Sequence, residues 1–187
     1  MIPLSFFLRS DVVEIAKELI GKKLFTCFDG ELTGGIITET EAYAGILDQA
    51  SHAYRGRRTR RNEAMYLKGG VAYVYLCYGI HHLLNIVTNK EGDPHAVLIR
   101  GIEPTTGIAR MQQRRGGTKN IASGPGNVTQ ALGITLSANT LSLLGPQIFL
   151  TEGVSPKEIE IGPRIGVEYA QEDALLPYRF VLKGKNL

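Results

Sequence analysis

Residues 23–43 read KLFTCFDGELTGGIITETEAY, and this stretch has the pattern of a β-hairpin. The segments 23–28 and 32–43 are predicted to be strands. Between them stands the pair Asp29-Gly30, which favours the tight primed turns that join two antiparallel strands. We therefore expect an antiparallel sheet built around this hairpin.

Residues 11–20, just before the hairpin, have the periodicity of an amphipathic helix. Asp11 and Glu14 have the spacing of a capping box, and Gly21 supplies the left-handed residue that ends such a helix. One face carries the apolar residues Val12, Ile15, Ala16, Leu19 and Ile20. We assign this helix to the scaffold of the protein.

Further strands and helices follow the hairpin along the chain. Strands are predicted at 71–78, 83–88, 96–102, 147–150, 158–161 and 178–182, and helices at 106–115 and 125–133. Neighbouring strands with short links favour an antiparallel sheet over repeated βαβ units. The predicted fold class is α+β, with one mixed domain over residues 1–187. That domain has a curved, mainly antiparallel sheet, flanking helices and a protruding β-hairpin.

Length and composition are those of a globular chain. A chain of 187 residues suits one domain with a real core. It has no apolar run long enough to cross a bilayer. Its apolar first residues lead into a helix and not into a signal-peptidase cleavage site, so we do not expect a signal peptide. Cys27 and Cys77 cannot make a zinc site alone, and we expect them to be reduced, small and buried. The predicted location is a bacterial-type cytoplasm.

Charge is clustered, although the net charge is only +3. Residues 55–61 read RGRRTRR, with five arginines in seven residues. A second basic group follows later, and it consists of Arg110, Arg114, Arg115 and Lys119. Clustered arginines are typical of phosphate contacts, whereas an isolated basic run is also commonly a solvated loop. The neighbouring motifs decide between the two.

The motif TETEAY at 38–43 carries two carboxylates. In a strand, Glu39, Glu41 and Tyr43 point to one face, because side chains alternate. This face is either solvated or half of a site. Taken alone, the motif favours the solvated interpretation, since most strand glutamates are exposed.

Half of the eight tyrosines lie close together, at Tyr66, Tyr73, Tyr75 and Tyr78. An aromatic core stripe is the commoner explanation for tyrosines on a strand. Tyr78, however, abuts Gly79 at a predicted hairpin bend, where a core residue is not expected. An aromatic residue at a projecting tip beside an arginine-rich loop is how a protein wedges into a base stack.

Asn85 and residues 123–126 are two weaker features. Asn85 interrupts the apolar run 83–87, so its amide either bonds a neighbouring loop or contacts the edge of a ligand. Ser123-Gly124-Pro125-Gly126 precedes a helix, whose free amides suit an anion such as a phosphate, although any helix start looks similar. The histidines at 52, 81, 82 and 95 lack a metal-binding spacing, so neither a metal nor a cofactor is expected.

The order of the motifs is more specific than any one of them. EAY at 41–43, His52, RRTRRN at 57–62, YVYLCYG at 73–79, Asn85 and LIRGIEP at 98–104 together resemble the alkyladenine (3-methyladenine) DNA glycosylase family. The resemblance continues through SGPGNVTQALG at 123–133, IGPRIGV at 161–167 and PYRFVLKG at 177–184. It therefore covers nearly the whole chain.

The resemblance implies a role for each matching residue. Glu41 is implied as the general base that deprotonates the attacking water, with Arg100 and a backbone carbonyl near Ile165 holding that water. Glu39, on the same face, is the alternative base, and we expect it to support Glu41 instead. The other implied groups are a base pocket of Tyr43, His52, Tyr75, Asn85 and the main chain at Ala50, an intercalating tip of Tyr78 and Ile80, and DNA-backbone contacts from Arg57, Arg58, Arg60, Arg61, Ser123, Gly124 and Gly126.

The implied activity is a monofunctional DNA glycosylase of base excision repair acting on damaged double-stranded DNA, expected to be a monomer with no membrane partner. It would remove 3-methyladenine, hypoxanthine and ethenoadenine, leaving an abasic site. Aromatic faces attract cationic alkylated purines by roughly 0.5–2 kcal/mol. The sequence shows no lysine nucleophile that would indicate lyase activity. It also shows no evident acid that would protonate the leaving base of a neutral lesion.

One departure and two alternatives complete the prediction. Asn127 stands where the family commonly carries a lysine, so one phosphate contact is expected to be missing. A non-catalytic nucleic-acid-binding module is disfavoured by Glu41 with Arg100. An unrelated small-molecule enzyme is disfavoured by the arginine cluster and the projecting tyrosine.

Overall fold

The computed structural model describes residues 1–184. Its helices are α1 (Leu4–Phe7), α2 (Val12–Leu19), α3 (Ile108–Arg114) and α4 (Pro125–Leu132). The side chain of Asp11 caps α2, because it accepts hydrogen bonds from the backbone N–H groups of Val13 and Glu14 at 3.0 Å. Gly21 follows the helix with φ +86°, as the sequence predicts. The four-residue helix α1 was not predicted, since one turn shows no periodicity.

Eight strands form one sheet in the described part of the chain. They are β1 (Lys23–Phe28), β2 (Glu31–Tyr43), β3 (Ala72–Cys77), β4 (His81–Thr88), β5 (His95–Thr106), β6 (Ile148–Thr151), β7 (Ile159–Gly162) and β8 (Arg179–Leu182). Six of them follow the order β3-β4-β5-β2-β1-β6, and β8 joins both β2 and β7. Every pairing is antiparallel, so the predicted α+β class is confirmed.

The predicted hairpin is the β1–β2 pair. Asp29 and Gly30 have φ values of +53° and +76°, which a type I′ turn requires at both central residues. β2 is 13 residues long and pairs with β5 from Gly34 to Tyr43, while its other edge pairs first with β1 and then, at 39–41, with β8. Its pairing with β5 has register shifts near Gly34 and Glu39, and such bulges bend a strand. The second half of β2 is therefore enclosed by strands on both sides.

The main core lies where α2 packs on the sheet. Ile15 and Leu19 of α2 are fully buried with Leu24 of β1 and Ile37 of β2. The hydroxyl of Thr40 donates to the carbonyl of Ala16 at 2.8 Å, which fixes the helix against β2. A smaller cluster, defined by Ala53, Met65, Tyr73, Val87 and Ala96, lies beside the functional cleft described below. Ala42, in the second half of β2, is buried in the main core.

Within residues 1–184, no helix is both long and apolar enough to cross a membrane. Cys27 and Cys77 are free thiols, as predicted, but both are half-buried and not buried as we expected.

Candidate active site

A cleft of about 600 Å³ opens beside the β3–β4 hairpin. Its walls come from β2 to β5, the start of α4 and residues 165–169. The cleft brings together ten of the residues that the sequence predicts for the site: Tyr43, Ala50, His52, Arg61, Tyr75, Tyr78, Asn85, Arg100, Gly124 and Gly126. Residues more than 80 positions apart in the sequence thus share one concave surface.

Glu41 lies directly behind this surface and has no solvent exposure. One carboxylate oxygen, Oε1, accepts the backbone N–H of Ile165 at 2.8 Å. The other, Oε2, accepts the hydroxyl of Tyr43 at 2.9 Å and lies 3.4 Å from Nη1 of Arg100. The solvated interpretation of the TETEAY motif is therefore wrong for Glu41. At Ile165 the amide contacts the carboxylate, a contact that the sequence resemblance did not imply.

The environment makes Glu41 a stronger base than an exposed carboxylate. Burial raises its pKa, and the Arg100 charge, the Ile165 amide and the Tyr43 hydroxyl oppose this rise. Burial, followed by the Glu41 charge and its hydrogen bond, raises the pKa of Tyr43 well above its ordinary value, so Tyr43 stays protonated and donates. A buried carboxylate with a raised pKa at a cleft is typical of a general base.

Glu39 lies beside Glu41 but has different partners. Its Oε1 accepts Nε of Arg100 at 2.9 Å and Nε of Arg179 at 2.7 Å. Arg100 thus bridges the two carboxylates, one from each alternate position of β2. Arg179 has no predicted role, and the only sequence signal for it was its place in the PYRFVLKG motif.

Aromatic side chains line the cleft. The rings of His52 and Tyr75 touch edge to face at 4.7 Å, and those of Tyr73 and Tyr75 lie 5.4 Å apart. His52, Tyr73 and Tyr75 are thus packed together in the lining of the cleft, and Tyr43 also lines it. The guanidinium of Arg164 lies 4.9 Å from the Tyr43 ring centroid, and that of Arg61 lies 5.3 Å from the Tyr75 centroid.

His52 is held neutral. Its Nδ1 hydrogen-bonds the Tyr73 hydroxyl at 2.8 Å. Burial, and then the charges of Arg61 and Arg57, lower the pKa of His52 to about 4. At neutral pH its ring therefore carries no charge that would repel a cation in the cleft.

Asn85 lines the cleft from β4 and is almost fully buried. Its side-chain nitrogen donates to the backbone carbonyl of Tyr73, the residue opposite it in the β3–β4 ladder, at 3.3 Å. The two alternatives raised by the sequence are thus compatible, since Asn85 both bonds a neighbouring strand and faces the cleft.

Three residues that the sequence analysis missed hold the loop at 44–53. Asp48 and Arg164 form a fully buried ion pair with N–O distances of 2.5 and 2.8 Å. Asp48 also accepts the backbone N–H groups of Ala44 and Ala50, and Arg164 donates to the carbonyl of Ala42. On the rim, the Tyr169 hydroxyl donates to the carbonyl of Ala50 at 3.1 Å.

A family model and several known proteins match nearly the whole chain. The model of the family described as methylpurine-DNA glycosylase (MPG) matches residues 5–186. The chain belongs to the methylpurine-DNA glycosylase family. It is 50% identical over its whole length to a Chlamydia felis protein named "Putative 3-methyladenine DNA glycosylase", of which 98% is covered. Proteins of the same name from Chlamydia abortus and Oceanobacillus iheyensis are 50% and 43% identical, with 100% and 90% of their lengths covered. The family resemblance of the motifs is therefore confirmed.

In this member of the methylpurine-DNA glycosylase family, the β3–β4 hairpin projects beside the cleft. Tyr78 at its tip is 91% exposed and has φ +49°, and Ile80 is 72% exposed. The hairpin is tied to α4, because the Thr129 hydroxyl donates to the carbonyl of His82 at 2.6 Å. The ring of His81 packs so closely on Gly126 that a Cβ there would lie 3.0 Å from it. The start of α4 therefore supports the tip.

The arginines at 55–61 differ in what they contact. Arg58 pairs with Glu63 at 2.5 Å and lies over the ring of Tyr66, which is buried as an ordinary core tyrosine. Arg61 donates to the carbonyl of Leu76 and lines the cleft. The structure gives the exposed Arg57 and Arg60 side chains no carboxylate partner among the described residues. These two are the clearest candidates for phosphate contacts in the cluster.

Two other predicted phosphate contacts are weakened by the structure. Arg110 and Arg114 pair with Glu31, and Arg115 donates to the carbonyl of Ile121, so these three arginines are used within the fold. Three of the four members of the second basic group therefore make contacts within the fold, and Lys119 is its exposed member. At the start of α4, the N–H of Ser123 donates to the side chain of Asn120 at 3.1 Å, so this amide is not free.

Asn127, where the sequence resemblance led us to expect a lysine, has a contact of its own. Its side-chain nitrogen donates to the carbonyl of Ser123 at 2.6 Å, which closes the first turn of α4. The residue stabilises the loop before α4 and lines the cleft without adding charge.

Proposed function

We propose that this chain is a monofunctional purine DNA glycosylase, which flips a damaged base out of duplex DNA and hydrolyses its N-glycosidic bond. The observation that carries the proposal is Glu41, a buried carboxylate held by Ile165, Tyr43 and Arg100 directly behind an aromatic cleft. A protein that only bound nucleic acid would gain nothing from a buried carboxylate beside its binding surface.

The target nucleotide has to leave the duplex, because the bond to be broken is inaccessible inside the stack. Flipping costs roughly a few kcal/mol, and least for a damaged pair. The exposed Tyr78 and Ile80 at the tip of the hairpin would fill the gap, and the exposed Arg57 and Arg60 would contact phosphates. Intercalating side chains of this kind offset the cost of unstacking.

The flipped base would lie between Tyr43 on one side and the His52–Tyr75 wall on the other. Purines alkylated at N3 or N7 are cationic, and their attraction to aromatic faces is worth roughly 0.5–2 kcal/mol. A neutral His52 preserves that attraction. Asn85 faces the same space, where the amino group of a guanine would meet it.

Glu41 acts as the general base for hydrolysis. A water attacks the sugar C1′, Glu41 accepts one water proton, and the electrons of the N-glycosidic bond leave with the base. A cationic base leaves as a neutral molecule and needs no acid. Because Glu41 has no exposed surface, the water must enter past Tyr43 or Arg100, which both line the cleft and contact the carboxylate. These residues supply the chemistry without a metal or cofactor.

Neutral lesions such as hypoxanthine and ethenoadenine make a different demand, since their bases leave best when protonated. His52 lines the cleft, and its pKa of about 4 makes it a poor proton donor at neutral pH. We therefore expect 3-methyladenine to be excised faster than hypoxanthine.

The absence of lyase activity and the monomeric state belong to the same proposal. Among the described residues that line the cleft, none is a lysine that could form a Schiff base with the sugar. One copy of the chain contains the base, both walls and the tip. We accordingly propose that residues 1–187 act as one domain on DNA in a bacterial-type cytoplasm.

The test is excision from a duplex oligonucleotide that carries one lesion. Separate duplexes with 3-methyladenine, hypoxanthine and ethenoadenine are incubated with the protein and then treated with alkali. Strand breaks after alkali, and none before it, are expected. No break above the undamaged control with any lesion would refute the proposed activity, and breaks before alkali would refute the monofunctional mechanism.

A further inference from the structure

Glu39 is the second carboxylate beside Arg100, and it lies closer to that arginine than Glu41 does. We propose that Glu39, tethered by Arg179, is a positioning residue that holds Arg100 back from a tight ion pair with Glu41. The proposal rests on the proposed function, in which Glu41 is the base and must keep its affinity for a proton.

The distances around Arg100 carry the argument. Its Nε lies 2.9 Å from Oε1 of Glu39 but 3.4 Å from Oε1 of Glu41. Its Nη1 lies 3.4 Å from Oε2 of Glu41. Charge-assisted N–H···O bonds have typical lengths of about 2.7–2.9 Å. Arg100 thus makes a full ion pair with Glu39 and only a long contact with Glu41.

Arg179 fixes the position of Glu39. Its Nε donates to the same Oε1 atom at 2.7 Å. The three side chains are mostly buried, with exposed fractions of 15% for Glu39, 12% for Arg100 and 24% for Arg179. Arg179 comes from β8, whose backbone pairs with β2 at Glu39 and Glu41. Glu39 is therefore held between two guanidinium groups supplied by the neighbouring strands β5 and β8.

The groups that face Glu41 come from four segments. β2 supplies Glu39 and the Tyr43 hydroxyl, β5 supplies Arg100, and β8 supplies Arg179. The segment before Ile165 supplies its own N–H and the charge of Arg164, which is already paired with Asp48. Because Asp48 neutralises Arg164, the remaining charges at the site are the carboxylates of Glu39 and Glu41 and the guanidinium groups of Arg100 and Arg179. Removing one member of either sign changes the field at Glu41.

The consequence is a base whose strength is preserved. An arginine in full contact with a carboxylate lowers the pKa of that carboxylate, and a neighbouring carboxylate raises it. The Glu39 charge contributes to the raised pKa of Glu41 in this second way. By binding Nε of Arg100, Glu39 also limits the first effect. Arg100 remains close enough to contact the attacking water.

Two substitutions with opposite expected effects test the proposal. Glu39→Gln frees Arg100 and removes a negative charge, so the acid limb of kcat/KM against pH should move down, by on the order of one pH unit. The plateau rate should fall by up to about tenfold, because the base is weaker. Arg179→Met removes a positive charge but leaves Glu39 paired with Arg100 at 2.9 Å, so Arg100 is still held back and the acid limb should move up. A purely structural role would shift neither limb, although both variants would lower the melting temperature.

A second measurement does not depend on turnover. The carboxyl carbon of Glu41 is followed by carbon-13 NMR in the full chain, with its signal assigned by its loss in Glu41→Gln. A lower pKa in Glu39→Gln and a higher one in Arg179→Met support the proposal. Equal pKa values in all three proteins, or shifts in the same direction, overturn it. If the wild-type protein excises no lesion, the proposed function fails, and the NMR titration still decides whether Glu39 controls Glu41.

Discussion

Single side chains of the cleft stand in environments that cost free energy. Glu41 is a carboxylate without solvent contact, His52 is an imidazole held neutral, and Tyr78 adopts a left-handed backbone conformation. Such features persist where the surrounding structure over-determines them, and they are concentrated at functional sites. The three residues have separate tasks in our account, namely proton transfer, base contact and gap filling.

The first prediction concerns the tip of the hairpin. Tyr78→Ala should weaken binding to a lesion duplex by about tenfold or more, since stacking between an aromatic side chain and a base is worth roughly 1–3 kcal/mol. The melting temperature should hardly change, because the tyrosine ring is 91% exposed. Fluorescence anisotropy with a labelled duplex measures the affinity. Leu47→Ala, at a residue that is also exposed and lies outside the cleft, is the control. Equal losses in both variants would contradict the role of Tyr78.

The sequence reveals these residues unequally. The pair Tyr78-Gly79 at a bend indicates a projecting tip, because two residues there must turn the chain. The burial of Glu41 has no such local sign. It depends on the amide of Ile165, which lies 124 positions further along the chain. Alternation along β2 alone therefore favours a solvated carboxylate.

At the scale of elements, the site depends on a loop and a hairpin, each joined to the rest of the fold by a few side-chain contacts. The loop at 44–53 carries Ala50 and His52, and the buried Asp48–Arg164 pair joins it to the segment that presents the Ile165 amide. The β3–β4 hairpin carries Tyr75 and Tyr78 and is joined to α4 through Thr129. Each junction has one side chain whose replacement should loosen it.

The second prediction concerns the loop junction. Asp48→Asn should lower the free energy of unfolding by about 3–5 kcal/mol, because it leaves the Arg164 guanidinium buried without a counterion. Urea unfolding monitored by circular dichroism measures the change. The matched control is Glu63→Gln, which breaks the exposed pair with Arg58 and should have no measurable effect. A stable Asp48→Asn variant would show that this pair does not hold the loop.

The third prediction concerns the hairpin junction. Thr129→Val keeps the shape of a fully buried side chain but leaves the His82 carbonyl without its donor. The expected loss is about 1–3 kcal/mol of stability, together with weaker lesion binding. Thr129→Ser keeps the hydroxyl and should bind the lesion duplex like the wild-type protein. Weak binding by the serine variant as well would mean that the hydroxyl is not what positions the hairpin.

Most elements follow from local patterns, whereas their ends do not. The strand predicted at 96–102 is observed as His95–Thr106, because its ladder with β2 continues to the pair Gly34 and Thr106. That extension passes through Pro104, which reads locally as the end of a strand. Pairing between distant segments decides such boundaries, and a single sequence does not show it.

At the scale of the whole molecule, the arrangement of charge matters more than its total. The net charge of +3 is small, but the arginines at 55–61 lie next to the cleft. In the second basic group, by contrast, Arg110 and Arg114 form ion pairs with Glu31. Composition does not distinguish the two basic groups, since paired and unpaired arginines look alike in a sequence. The family resemblance does indicate which residues converge, but it assigns no role to Asp48, Arg164 and Tyr169.

The fourth prediction separates these two basic groups. Each phosphate contact adds about one unit to the slope of log K against log salt. Arg57→Ala and Arg60→Ala should therefore each make the slope shallower by about one unit, and Arg110→Ala should leave it unchanged. Affinities for one lesion duplex at several salt concentrations provide the slopes. An effect of Arg110→Ala as large as that of Arg60→Ala would contradict the assignment.

The central claim is that Glu41 performs the chemistry, and single-turnover excision by Glu41→Gln tests it most directly. Glutamine keeps the size of the side chain and an oxygen for the Ile165 amide, but it cannot accept the proton of the water. The account predicts that the variant binds a hypoxanthine duplex within about threefold of the wild-type affinity and excises the base at least about 100-fold more slowly. Excision by Glu41→Gln at the wild-type rate, with the same affinity, would contradict the account.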